Sequence, residues 1–221
     1  MLQPKTMPFW FRNMRRSRSI ELLASLLLLM GVAPFVEIHT TYGVIVPILT
    51  LAVLLAAVRV VTAENRYRII AYVLASLYGI ISLIRAATQQ EIWQILAAPL
   101  FIAFSFFCVS VILRRIVTAR EVDSEMIFAS VSAYLLIAIT WAVSYNLIYM
   151  LSPGSFSAAD GSAELSINHF IYFSLTTITT LGYGDITPVS VPVGIWSTLE
   201  AATGVFYMAI LVARLVSVYR S

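Results

Sequence analysis

Long apolar runs separated by short polar joints dominate the chain. Ile20–Val36, Gly43–Val61, Ile69–Ile84, Ile92–Leu113, Met126–Leu151 and Val189–Val218 each approach the roughly 20 residues that a helix needs to cross hydrocarbon. A further run, Asn168–Thr179, is apolar but too short to cross. The pattern predicts an all-α membrane protein with six transmembrane helices and a re-entrant segment between the fifth and sixth. Pro34, Pro47 and Pro99 fall in or near spans and predict kinks, whose freed carbonyls neighbouring helices re-satisfy. The loops are short, with no internal repeat and no low-complexity tract.

Composition agrees with the pattern. Of 221 residues, 60% are hydrophobic and 11% charged, against about 25% charged in soluble domains. The net charge of +3 does not point to nucleic acid, because the arginines lie at segment ends, where they orient a membrane protein. Placing the N-terminus inside puts Lys5, Arg12, Arg15, Arg16, Arg18, Arg59, Arg66, Arg68, Arg114, Arg115, Arg120, Arg214 and Arg220 on the inner side and leaves only Arg85 outside. Both termini are therefore expected in the cytoplasm, with the Ser152–Ser166 loop outside and turn signals at Pro153-Gly154 and Asp160-Gly161. Residues 1–19, basic and carrying Phe9, Trp10 and Phe11, suit a headgroup region; no small-residue cleavage site follows, so the first span is expected to be retained. Cys108 reads as a packing residue, and His39 and His169 as interfacial residues without metal-ligand spacing.

The chemistry concentrates in Thr179-Thr180-Leu181-Gly182-Tyr183-Gly184-Asp185. Selecting a cation inside a membrane pore needs oxygens that replace the ion's water shell, aimed inward from extended backbone. Gly182 and Gly184 reach positive φ without steric cost and let successive carbonyls face one axis. Thr180 adds a hydroxyl oxygen, and Tyr183 turns its ring outward to brace the strand.

This Thr-x-Gly-Tyr-Gly-Asp run, flanked by a half-length helix and a full span, resembles the selectivity filter of potassium channels, whose carbonyl rings replace the hydration shell of potassium. Leu181 stands where valine is usual. The resemblance implies a filter of Thr180, Leu181, Gly182, Tyr183 and Gly184, with K+ held at Thr180, Leu181, Gly182 and Tyr183. It also implies a pore helix entering from outside, with its partially negative C-terminal end towards the ion. One chain supplies one strand and the ring needs about four, so a homotetramer with a shared pore is implied.

Filter support is expected from Asp185, Tyr172, Phe173 and Thr176. In relatives a carboxylate in the pore helix or an adjacent tryptophan pair ties the filter down, and Thr176 and Tyr172-Phe173 occupy those places here. Asp160 and Glu164 read as solvated loop residues. Glu200, inside the sixth span, is a gating candidate by its depth alone. It is expected to bond the back of the filter or pore helix, or to sit protonated against a neighbouring helix. Gly204 is an inner-helix hinge by resemblance, or a close-packing glycine beside Ala201, Ala202 and Thr203. The fourth span carries no basic residue from Ile92 to Leu113, so an S4-type voltage sensor is not expected.

The organisation expected is residues 1–19 as a cytoplasmic basic and aromatic segment, 20–120 as a four-helix transmembrane domain, and 121–221 as the pore domain. The resemblance covers the last hundred or so residues; over 1–120 only the span count matches. The function expected is a passive potassium channel subunit, not an enzyme and without a cofactor, its only small ligand being the permeant K+. It would lie multi-pass in the plasma membrane, a bacterial inner membrane for preference. Partners are membrane lipid and three further copies, with a separate regulatory subunit if cytosolic ligands gate it, because little chain follows Arg214. Two alternatives remain: a subunit of a potassium transporter, or a non-conducting membrane sensor on a channel fold.

Overall fold

The computed structural model describes residues 18–37, 45–62, 67–88, 90–119, 123–159, 161 and 164–219. Lys5, Phe9, Trp10, Phe11, Arg12, Arg15, Arg16, His39, Arg66, Arg120, Asp160 and Arg220 lie outside the described residues. In chain order the elements are α1 (Arg18–Glu37), α2 (Ile45–Val61), α3 (Arg68–Thr88), α4 (Glu91–Thr118), α5 (Ser124–Leu151), β1 (Phe156–Ala158), α6 (Ile167–Ile178), β2 (Ile186–Pro188) and α7 (Val191–Tyr219).

Five of these helices, α1, α3, α4, α5 and α7, are long and apolar enough to cross a membrane. The apolar α2 is shorter at 17 residues, the lower end of spanning lengths. α1 and α4 run on through Pro34 and Pro99, and Pro47 falls in the first turn of α2, where its missing N–H costs no helical bond. α3 buries only Ala71 and exposes Ile69, Ile70, Val73, Leu77, Ile80 and Leu83. Such an apolar surface suits hydrocarbon rather than water. Hydroxyls within the spans bond back to their own helix: along α5, Ser130 donates to Met126 O, Ser132 to Phe128 O, Thr140 to Leu136 O and Ser144 to Thr140 O. Each thereby satisfies a polar group that lipid could not.

Polar contacts gather the helix ends. Arg59 pairs with Glu21 at 2.6 Å, Arg18 donates to Arg59 O at 3.3 Å, and Ser19 donates to Glu125 at 3.5 Å. Arg114 donates to the Tyr67 hydroxyl at 3.0 Å, and Arg214 donates to Ile116 O and Ala119 O. The starts of α1, α3 and α5 and the finishes of α2, α4 and α7 thus share one end of the bundle. Arg85 sits in the last turn of α3, at the opposite end.

The main core joins α1, α2, α4 and α5 around Leu22, Leu26, Val60, Phe104, Ile112 and Leu136; Cys108 is buried among them. A second, aromatic core lies under α6, where Phe170 and Phe173 pack on Tyr145 and Phe156. There β1 and β2 form a short antiparallel pair with Ser157 opposite Thr187, which brackets the segment between α6 and α7. Asn168, at the start of α6, donates to Ala33 O of α1 at 3.4 Å.

The end of α6 is pressed against α7. A Cβ on Gly204 would lie 2.0 Å from Ile178 O and 2.8 Å from the Ile178 side chain. Gly204→Ala should therefore displace α6 and lower stability by roughly 1–3 kcal/mol. Gly79→Ala, at a site with nothing within 4 Å of the added carbon, should leave the melting temperature unchanged or higher. Thermal unfolding of the two variants in the same detergent checks the contrast.

Candidate functional site

The site is the turn that follows α6. Ser166 starts that helix, with its amide donating to His169 Nδ1 at 3.1 Å and its hydroxyl 2.9 Å from the same nitrogen. This gives His169 a capping role. The helix finishes at Ile178, and the chain then leaves helical geometry abruptly. Thr180, Gly182 and Gly184 have φ of 59°, 50° and 79°, while Leu181 and Tyr183 between them stay at negative φ. In a regular strand successive carbonyls point to opposite sides. Alternating the sign of φ brings amides to one side and carbonyls to the other, the arrangement that forms backbone nests.

The amide side is anchored. Leu181 N and Gly182 N both donate to Thr176 O, at 2.8 and 3.0 Å, and Thr180 N donates to Thr177 O at 2.9 Å. Among the described residues, no hydrogen bond is accepted by the carbonyls of Thr180 to Gly184. Thr180 is the unexpected member: a β-branched residue at positive φ is strained, typically by about 1–3 kcal/mol, and such strain clusters at functional positions. The sequence pointed to the glycines alone.

Each expected support residue takes a definite place. Tyr172 donates to Asp185 Oδ2 at 2.6 Å, and Ile186 N donates to Asp185 Oδ1 at 3.0 Å. The Tyr172–Asp185 bond, followed by desolvation and the carboxylate's charge, pushes the Tyr172 phenol up to about 12. The Tyr172 and Tyr183 rings lie parallel within 3°, with centroids 6.3 Å apart. Phe173 faces away from Asp185 into the aromatic core, 5.1 Å from the Tyr145 ring. Thr176 turns its hydroxyl to Phe173 O, so it holds the turn through its carbonyl instead. Behind the turn, Ala159 N donates to Asp185 O at 2.7 Å, and Val189 N to Ser155 O at 2.9 Å. Leu181 and Tyr183 are exposed, as is Glu164 in the segment before α6.

Glu200 and Gly204 sit on the face of α7 that backs α6. Glu200 is fully buried; Tyr145 donates to its Oε2 at 2.7 Å, and Ser174 contacts its Oε1. Gly204 makes the close approach to Ile178 already described, and Tyr134 of α5 donates to Ile178 O at 3.1 Å. Of the two readings of Gly204, close packing is what the geometry displays. Sequence reasoning missed Tyr134, Tyr145 and Ser174. The available signal was weak: tyrosines inside an apolar span need partners for their hydroxyls.

Residues 133–221 match a family model described as an ion channel. Two curated proteins resemble the chain. Two-pore potassium channel 2 of Arabidopsis thaliana is 31% identical over 100 residues, which cover 45% of this chain and 21% of that protein. Protein LctB of Bacillus caldotenax is 26% identical over 107 residues, covering 46% of this chain and 78% of that protein. The chain thus spans only about a fifth of the plant relative's length. No solved structure matches the chain.

Tyr172→Phe deletes the bond to Asp185 and leaves the ring in place. Because the pair is exposed, global stability should change little. Hydrogen exchange should quicken at the amides of Gly182 to Ile186 and stay unchanged along α6, as mass spectrometry can resolve.

Proposed function

We propose that the chain is a subunit of a passive, potassium-selective channel whose filter is Thr180, Leu181, Gly182, Tyr183 and Gly184. The observation that carries this reading is the alternation of φ at Thr180, Gly182 and Gly184, with the Leu181 and Gly182 amides tied back to Thr176 O and the carbonyls of Thr180 to Gly184 without partners among the described residues. One strand cannot surround an ion. Four copies around an axis would close the carbonyl rings, so the proposed assembly is a homotetramer with K+ at the levels of Thr180, Leu181, Gly182 and Tyr183. Desolvating potassium is costly, and rings of preset carbonyl dipoles offset that cost only for an ion they fit.

The rest of the reading follows from placement. α6 ends where the turn begins, so its partially negative end would face the pore centre. α1 to α5 and α7 act as six spans, with α6 as the re-entrant pore helix. The end of the bundle that collects Arg18, Arg59, Arg68, Arg114, Arg115 and Arg214 would lie in the cytoplasm of a bacterial cell, beneath its plasma membrane. α4 carries Arg114 and Arg115 only in its last turns, where they anchor the helix rather than sense voltage. Asp185, tied by Tyr172, would brace the outer mouth. Regulation through a separate subunit belongs to the same proposal, as does the lack of any enzymatic step or cofactor.

Purified full-length protein in liposomes should pass K+ down its gradient in strong preference to Na+, be blocked by barium, and show no steep voltage dependence. Gly182→Ala places a side chain at φ 50° and should abolish that flux. Equal passage of K+ and Na+ by the wild type, or undiminished flux in the variant, would refute the filter.

A further inference from the structure

Glu200 poses a problem of hydrogen counting. Among the described residues the single ion pair is Arg59–Glu21, so no cation balances this fully buried carboxyl. Its neighbours are hydroxyls. Tyr145 Oη of α5 donates to Oε2 at 2.7 Å, and Ser174 Oγ of α6 touches Oε1. The same Ser174 Oγ donates to Ala138 O of α5 at 2.7 Å. Tyr145 and Tyr134, both on α5, are the titratable groups that face Glu200; α6 presents the Ser174 hydroxyl and no charge.

A serine hydroxyl has one hydrogen, and a main-chain carbonyl has none. The hydrogen between Ser174 and Ala138 therefore belongs to the serine. A second hydrogen is needed between Ser174 and Glu200, and the carboxyl is the group left to supply it. An ionised Glu200 would either confront a serine lone pair or leave Ala138 O with its helical donor alone. In a medium that solvates charge poorly, the neutral acid satisfies every contact.

We infer that Glu200 is a positioning residue for the filter, held as a neutral acid that donates to Ser174 while accepting from Tyr145. One hydrogen-bonded chain then runs from α7 through α6 to α5. Ser174 stands two residues before Thr176, whose carbonyl anchors Leu181 and Gly182, so displacement of Ser174 is passed to the turn within one helical step. The inference rests on reading Thr180–Gly184 as a filter. Raising the pH until Glu200 ionises removes the donor, so selective flux should fall on the alkaline side.

The test uses the full-length protein in liposomes, with the variants E200Q and E200L. Glutamine reproduces the neutral acid, its amide donating to Ser174 and its carbonyl accepting from Tyr145; leucine fills similar space with neither bond. At neutral pH the infrared spectrum of the wild type should carry a protonated-carboxyl stretch that E200Q lacks. E200Q should keep the K+/Na+ flux ratio within about twofold and lose the alkaline sensitivity, while E200L lowers the ratio at least roughly tenfold, as an unsatisfied buried group warrants. Absence of the Glu200-dependent band, or a ratio in E200Q as low as in E200L, overturns the inference. Should E200L fail to fold, the band and the pH profile of E200Q decide alone. A wild type without K+ preference would sink the filter reading, while the infrared band would still decide the acid.

Discussion

The carbonyl of Thr176 receives the amide hydrogens of Leu181 and Gly182, and the arrangement of the turn depends on that double acceptance. Backbone that is neither helix nor strand survives at membrane depth only if its polar groups are buried in protein or meet water. By sending the amides of Thr180, Leu181 and Gly182 back into the last turn of α6, the segment satisfies part of its polar groups internally. The carbonyls of Thr180 to Gly184, which accept no hydrogen bond among the described residues, are left for a partner outside the chain. In the proposed channel that partner is the ion.

The remaining structure fixes where that turn sits. Tyr134 and Gly204 grip Ile178 from two sides, one by a hydrogen bond and one by having no side chain. Tyr172 and the β1–β2 pair hold Asp185 from the other end. Phe170 and Phe173 bury the back of α6 on Tyr145 and Phe156. The first four helices join this frame rather than hang from it, since Asn168 bonds Ala33 O and Arg214 bonds the end of α4. Arg214 thereby links the last turns of α7 to a helix more than ninety residues earlier.

Much of this was legible in the sequence, and the exceptions have physical causes. Apolar runs bounded by charge located the helices to within a few residues, because burial in lipid demands them. The short helix α6 runs Ile167–Ile178 rather than Asn168–Thr179, since His169 caps its start and Thr180 turns left-handed just beyond its end. The short strand pair could not be read, because Phe156–Ala158 and Ile186–Pro188 become strands only by pairing across the whole of α6. Tyr172 was expected beside the turn as a support, but its bond to Asp185 depends on the reach of a phenol around the turn, which spacing along the chain does not display. The partners of Glu200 were hidden for a similar reason: Tyr145 and Ser174 lie 55 and 26 residues away and meet it only through helix packing.

The central claim is that carbonyls freed by the turn converge from several copies on one axis and bind dehydrated potassium there. X-ray crystallography of the protein with thallium replacing potassium, whose anomalous signal marks the sites, tests it most directly. The account predicts a fourfold assembly with ion density on the axis between the carbonyl layers of Thr180 to Gly184. A turn facing lipid, or copies that share no axis through it, would contradict the account.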